Sequence, residues 1–371
     1  MNNRILVVCT TDSMIWNFLL PHIKELEKKG YYVECASSIT GDFFENLIKL
    51  HGVKMNEIAF ERSPYNTKNI YAYKKLCKLI KEKQFDTIYC HEPVGGAMGR
   101  LAGHACKCKV IYIAHGFHFY KGAPLANKYI YYWVENFLSR YTDVLITINE
   151  EDYQSSLKFH AKKTCKINGI GIDTRKFLKI NNCEDLRTEL SLAADDYILF
   201  SVGELIERKN HIVVIDALKR LDNPHIHYVV AGEGKLLTFL KEKIEQFGLT
   251  KQVHLLGYRT DINRLCNSSD VFVMPSLQEG LSVALMEAMS CGKPIIASRI
   301  RGNVDLIEDK KGGVLVGSKD VLGFADAIIH CYKSTANTQK YGQYNLEKIK
   351  EFDINKVKEQ LSVIYNECLE V

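Results

Sequence analysis

Short apolar runs alternate with amphipathic segments along almost the whole chain of 371 residues. Residues 5–9, 32–37, 54–60, 87–90, 110–114 and 144–148 are rich in Val, Ile, Leu and Tyr and predict strands. Residues 14–29, 42–50, 68–83, 95–106 and 126–140 carry the spacing of helices. Apolar β-branched runs set between amphipathic helices imply a parallel sheet with both faces covered. The pattern breaks at Asn168-Gly169-Ile170-Gly171-Ile172-Asp173 and the polar pair Asn181-Asn182, which read as a linker. A second alternation follows, with strands at 198–202, 227–231, 253–256, 271–274, 294–297 and 313–316, and helices at 211–221, 235–247, 261–266 and 282–291. After Lys319 the chain is mostly helical. The expected fold is α/β, with two Rossmann-like, doubly wound parallel-sheet domains over residues 1–180 and 181–352.

The second domain holds the most specific chemistry. An apolar run from Asp270 to Met274 enters a loop at Pro275, and Gly280 and Ser282 lead into a helix that Gly292 and Pro294 stop. That loop leaves the carboxyl end of a strand, where open parallel sheets place their ligands. Glu279 stands in the loop and Glu287 on the helix. The backbone N–H groups of Gly280, Leu281 and Ser282 form a helix start suited to an anion. Upstream, Ser201-Val202-Gly203-Glu204-Leu205-Ile206-Glu207-Arg208-Lys209-Asn210 leaves another strand. Gly203 permits close backbone approach, and Arg208 and Lys209 offer a planar fork and a point charge for phosphate oxygens. In the first domain, His115 and His118 follow the strand at 110–114, and His91 follows the strand at 87–90. Gly95, Gly96 and Gly99 do not make the G-x-G-x-x-G of a nicotinamide site.

Charge and cysteine content narrow the partners. The net charge of +5 combines a basic first half with an acidic second half. A basic half suits an anionic partner: nucleic acid, a membrane surface or a phosphorylated substrate. Residues Arg62 to Lys83 contain seven Lys or Arg and one acidic residue, with Ile70, Tyr73, Leu76, Cys77 and Ile80 at helical spacing. They read either as a basic amphipathic helix for an anionic bilayer or as a helix packed on the sheet. A second aromatic group, from Phe117 to Trp133, suits lipid, sugar or core. No apolar run is long enough to span a bilayer, and the chain runs directly into a strand without a signal peptide. Twelve cysteines then read as free thiols in a cytoplasmic protein. Cys106 and Cys108 are too close for a usual zinc pair, and a His91/His115/His118 metal site lacks helical ligand spacing. No metal is expected.

The stretch Glu279 to Glu287, with seven residues between the two carboxylates, resembles the E-x7-E motif of retaining GT-B glycosyltransferases of family 4. Residues 201–210 resemble that family's donor-phosphate segment, and Asn168 to Asp173 its P-N-G-I-D segment, with Ile167 in place of Pro. The resemblance covers nearly the whole chain and is strongest over residues 196–317. It implies two domains facing a central cleft, with a helix near 353–368 crossing back to the first. It implies that Glu279 bonds hydroxyls of the donor sugar, aided by the N–H groups of Gly280, Leu281 and Ser282. Glu287 would bond the ribose, Gly203, Arg208 and Lys209 would hold the diphosphate, and Tyr258 and Arg259 would lie by the base. His115 would sit near the donor sugar and acceptor, with His91, His118 and Asp12 on the acceptor side. The family's glycine-rich first loop is replaced by Thr10-Thr11-Asp12. No required cofactor is implied; the co-substrate is a nucleotide sugar, UDP-linked by analogy. The implied activity is hexosyl or N-acetylhexosaminyl transfer to a lipid-diphosphate-linked saccharide in capsule, exopolysaccharide or O-antigen synthesis, at the inner face of the cell membrane. Two other readings stay open: a UDP-sugar epimerase or related GT-B enzyme, and a non-catalytic nucleotide-sugar- or nucleic-acid-binding protein.

Overall fold

The run Ile5-Leu6-Val7-Val8-Cys9 is fully buried because both faces of its sheet are covered. It is the middle of strand β1 (Arg4–Thr11), which lies inside a seven-stranded parallel sheet. The others are β2 (Tyr32–Ser38), β3 (Met55–Glu57), β4 (Thr87–His91), β5 (Lys109–Ala114), β6 (Val144–Thr147) and β7 (Lys163–Lys166). Their order is β3-β2-β1-β4-β5-β6-β7, so the direction of winding reverses between β1 and β4. The computed structural model describes residues 3–178, 180 and 186–369. Its contacts divide the chain into one unit of Met1–Ile170 with Val357–Val371, and a second of Gly171–Lys356. This division falls at residue 170 rather than at 180. The Asn181-Asn182 pair read as linker lies outside the described residues.

The glycine-rich segment is a helix, Pro93–Ala105, and its glycines serve packing. A Cβ on Gly96 would stand 2.4 Å from the Tyr112 ring, and one on Gly99 would stand 2.6 Å from Cys90 Cβ. The helix thus lies against β4 and β5 closer than any side chain allows. Arg100 on the same helix is buried, bonded to Glu135 at 2.7 and 3.2 Å and stacked 3.9 Å from the Tyr112 ring centroid. From Val357 onward the last helix, Ile354–Leu369, belongs to this unit. Tyr365 donates to Tyr89 at 2.9 Å, and the Asn168 amide donates to Gln360 at 3.0 Å.

Of the two readings of the basic stretch, the structure shows the helix packed on the sheet. Helix Lys68–Glu82 buries Asn69, Ala72, Leu76 and Ile80 in the core of the unit and turns its lysines outward. Most of its apolar stripe is spent on the fold, although Ile70 and Tyr71 near its start are exposed. The exposed apolar face lies instead on helix Leu125–Ser139. Leu125, Tyr129, Ile130, Trp133, Val134 and Phe137 are each 44% exposed or more, at i, i+4 spacing.

The second unit has a six-stranded parallel sheet of order β10-β9-β8-β11-β12-β13. Its strands are β8 (Tyr197–Val202), β9 (Ile226–Ala231), β10 (Val253–Leu255), β11 (Val271–Met274), β12 (Ile295–Ser298) and β13 (Gly313–Val316). Separate apolar clusters around Leu199, Val230 and Phe324 and around Phe200, Met286 and Leu306 contribute to its core. Winding reverses between β8 and β11, and the two motif-bearing loops leave these neighbouring strands at their carboxyl ends.

Candidate active site

Topology brings the two motif loops of the second unit together. The Leu277 amide donates to the Arg208 carbonyl at 2.8 Å, and Asn210 Nδ2 donates to the carbonyls of Pro275 and Ser318 at 3.0 and 2.8 Å. Glu279 is thereby held in front of both cations. Lys209 Nζ lies 2.8 Å from Glu279 Oε1, and Arg208 Nη1 lies 3.2 Å from Oε2 and 3.1 Å from the Gln278 carbonyl. The carboxylate is 9% exposed, Lys209 13% and Arg208 41%, so Arg208 is the cation more open to solvent. Arg301, which the sequence reading passed over, donates from Nε to the Glu279 carbonyl at 3.2 Å and is itself buried. The available signal was a charged residue soon after an apolar strand and just before a glycine.

Two glycines make room for this arrangement. Gly203 has φ +150°, and a Cβ there would stand 3.1 Å from Lys209 Cε. Gly232 has φ +156°, and its Cβ would stand 1.9 Å from the Gly203 carbonyl oxygen. The backbone turns after β8 and β9 therefore touch, and no larger residue fits at Gly232 without moving them.

Ser282 caps helix Val283–Ser290: its hydroxyl accepts from the Leu285 amide at 3.3 Å. Glu287 stands on that helix, half-buried, with no hydrogen-bond or ion-pair partner among the described residues. Burial pushes its carboxyl up to about 7. A buried carboxyl in this state gains from hydroxyl donors, which favour the ionised form. Tyr258 is 75% exposed. Arg259 is engaged elsewhere: it pairs with Asp261 at 2.8 Å and Glu189 at 2.7 Å, beside Arg264. That network engages its guanidinium within the protein.

In the first unit the histidines cluster at the carboxyl ends of β4 and β5. His91 Nδ1 and His115 Nε2 share a hydrogen bond of 3.1 Å, and His91 Nε2 is buried without a partner. Burial holds His91 well below its usual pKa, and burial with nearby His22 brings His115 down to about 4. Both rings are neutral at pH 7, so His115 can give or accept a hydrogen bond but carries no charge. The His118 ring lies tilted against Tyr131, with ring centroids 4.8 Å apart.

Asp12 requires a correction. It is fully buried, accepting from the Ser13 amide at 2.8 Å, the Thr40 amide at 3.1 Å and the Thr40 hydroxyl. Its oxygens are used in joining the end of β1 to the loop after β2, so it is an anchor rather than an acceptor contact. Glu92, in contrast, stands at the reversal between β1 and β4 with φ +63° and accepts from the Thr10 amide at 2.8 Å. The sequence reading did not single it out.

Comparison with known proteins gives a consistent picture. The family described as glycosyl transferases group 1 matches residues 183–348, and that described as glycosyl transferase 4-like matches residues 4–150. EpsD of Bacillus subtilis (strain 168), named as a glycosyltransferase, is 35% identical, spanning 100% of this chain and 98% of that protein. The UDP-Gal:alpha-D-GlcNAc-diphosphoundecaprenol alpha-1,3-galactosyltransferase of Escherichia coli is 34% identical over 68% of each chain. Among solved structures, Anabaena Alr3699/HepE in complex with UDP superposes with a TM-score of 0.81 over 98% of this chain and 100% of that one, at 20% identity.

Proposed function

Because the chain belongs to the family 4-like glycosyltransferases of the GT-B fold, we propose that it transfers a hexose or N-acetylhexosamine from a UDP-sugar to a lipid-diphosphate-linked saccharide, with retention at the anomeric carbon. The pathway class is capsule, exopolysaccharide or O-antigen synthesis. The observation that carries this reading is the pairing of Glu279 with Lys209 and Arg208 beside a capped helix start. The E. coli relative, whose name joins a UDP-sugar to a diphosphoundecaprenol acceptor, supports the donor and acceptor classes.

The chemistry follows from the charges. Breaking the bond from C1 to the donor phosphate leaves a diphosphate with growing negative charge and a sugar with oxocarbenium character. Lys209 and Arg208 meet the first, joined by the N–H groups at the start of helix Val283–Ser290. These fixed positive charges perform the part a divalent ion plays in other sites, so transfer is expected to persist in EDTA. Both Glu279 oxygens are paired with cations. That pairing makes the carboxylate a poor nucleophile and a good acceptor for sugar hydroxyls. Retention then comes from attack on the face the diphosphate leaves, whose oxygen takes the acceptor proton. Neutral His115 orients sugar or acceptor by hydrogen bonding.

The experiment is transfer from radiolabelled UDP-glucose, UDP-galactose and their N-acetyl forms to undecaprenyl-diphosphate saccharides. A labelled lipid product with retained configuration is expected. No product from any pair overturns the proposal.

Glu287 provides a pH test. Ribose hydroxyls bond its ionised form best, so UDP binding releases a proton below the carboxyl's pKa of about 7. UDP affinity is expected to rise with pH up to about 7 and then level off, and Glu287→Gln is expected to flatten the profile. Calorimetric titration across pH 5.5–8.5 reads this directly; an unchanged slope in the variant contradicts the role.

The lipid-linked acceptor calls for a membrane contact, for which helix Leu125–Ser139 is the best surface. Its exposed stripe is flanked by exposed Lys121, Lys128 and Arg140, which suit anionic headgroups. No helix among the described residues is long and apolar enough to cross a membrane. Cosedimentation with vesicles containing phosphatidylglycerol is expected for the native protein and strongly reduced in Tyr129→Asp/Trp133→Asp. Equal binding by both, or a change only in oligomeric state, contradicts this placement.

A further inference from the structure

Glu92 follows β4 at φ +63° and ψ 165°, a region that glycine alone occupies at low cost. Asn210 and Asp222 also have positive φ, but their ψ values of 34° and 41° belong to the ordinary left-handed state of helix ends. The surroundings fix the Glu92 backbone. Its carbonyl accepts from the Gly96 amide at 2.8 Å, and the Gly95 amide donates to Thr10 Oγ1 at 3.0 Å. A Cβ on Gly95 would stand 2.8 Å from the Thr10 nitrogen, so the start of helix Pro93–Ala105 is pressed against the end of β1. Glycine would meet this conformation at position 92 without strain. A glutamate there implies a use for its side chain.

One use is visible, and it takes half of the carboxylate. Oε2 accepts from the Thr10 amide at 2.8 Å and from the Thr11 amide at 3.4 Å, which ties Glu92 to the end of β1. Both bonds fall on the same oxygen, and Oε1 makes neither. Burial pushes the carboxyl above its usual range, although these amides and Arg62 act to lower it. A carboxylate in this state gains from a further hydroxyl donor. Glu92 also stands where a ligand would bring one. The winding of the first sheet reverses between β1 and β4, and open parallel sheets bind ligands in the crevice at such a reversal. The next strand, β5, pairs Ile113 with His91 and leads into His115 at the same end of the sheet.

We propose that Glu92 Oε1 accepts a hydrogen bond from a hydroxyl of the acceptor saccharide, so that Glu92 is a saccharide-binding residue of the first unit. The group it holds is a sugar hydroxyl rather than the lipid diphosphate, which a carboxylate repels. This inference rests on the transferase reading and adds to it a residue on the acceptor side.

Glu92→Gln separates this role from anchoring. Its carbonyl oxygen can keep both backbone bonds, while an NH2 group replaces the second oxygen. Full-length native and variant proteins are compared in three ways: initial rates with varied undecaprenyl-diphosphate saccharide at saturating UDP-sugar, calorimetry with UDP, and release of free sugar from the UDP-sugar without a saccharide acceptor. Glu92→Gln is expected to keep the native Tm, UDP affinity and acceptor-free release, and to lose about 10–100-fold in kcat/KM for the saccharide, the worth of one hydrogen bond to a charged group. Glu92→Gly, which relieves the backbone and removes both oxygens, is expected to show the same selective loss. Native kcat/KM for the saccharide in Glu92→Gln overturns the inference and leaves Glu92 an anchor. A loss of UDP affinity or acceptor-free release as large as the loss of transfer in both variants overturns it too, as a general defect. Absence of transfer by the native protein with every pair fails the transferase reading itself, and this inference with it.

Discussion

Replacing Lys209 by alanine is expected to lower kcat/KM for transfer by about 100–1000-fold, the usual cost of removing one fixed charge or donor from a developing anion. Lys209 is the more buried of the two cations and lies 2.8 Å from Glu279. In the variant, Arg208 remains, but at 41% exposure its charge is screened by water. UDP affinity should fall as well, because the diphosphate loses a partner in the ground state. The fold should survive: Glu279 keeps its pair with Arg208, and the loss of about 1–3 kcal/mol is that of one partly buried charged hydrogen bond. Steady-state kinetics and calorimetry with UDP on the same preparations check both statements. Native kcat/KM in Lys209→Ala would remove the cation pair from the mechanism.

Glu279→Gln is expected to separate binding from catalysis. The amide is nearly isosteric and retains an acceptor oxygen, but the negative charge is gone. A carboxylate this close to Lys209 and Arg208 competes with diphosphate for the same cations, so UDP should bind the variant as tightly as the native protein or more tightly. The sugar, however, loses a charged acceptor and the field that stabilises its developing positive charge. A kcat lower by about 100–1000-fold is expected, with UDP affinity unchanged or improved. A weaker UDP complex with native kcat would assign Glu279 to simple architecture. UDP affinity therefore falls in Lys209→Ala but not in Glu279→Gln while both depress transfer, a pattern that general loss of folding does not produce.

Central strands were legible in the sequence because they are buried on both faces and so appear as unbroken apolar runs, as at Ile5 to Cys9. Strand β7 was not, since Lys163-Thr164-Cys165-Lys166 is an edge strand without a buried residue. That the loops of Arg208-Lys209 and Glu279 leave neighbouring strands was legible because both follow apolar runs, and Ser282 carries a recognisable cap. The protein partners of Asp12 and Arg259 were hidden from the sequence for one reason. A charged residue after a strand reads the same whether it faces ligand or partner, and only the fold reveals Thr40 beside Asp12 and Glu189 beside Arg259. The exposed stripe on helix Leu125–Ser139 was hidden for a related reason. Phe117 and Phe119 of the same aromatic cluster are buried, whereas Tyr129 and Trp133 are exposed, and composition does not distinguish them.

Thermal unfolding against UDP-, GDP-, ADP- and dTDP-sugars, with and without EDTA, tests the central claim most directly. Ligand at 100 times its Kd stabilises a folded site by about 2.7 kcal/mol, enough to move Tm by several degrees. The account predicts a rise with UDP-sugars, undiminished by EDTA and reduced in Lys209→Ala. A Tm unchanged by every nucleotide sugar, or raised equally in the native protein and in Lys209→Ala, would contradict it.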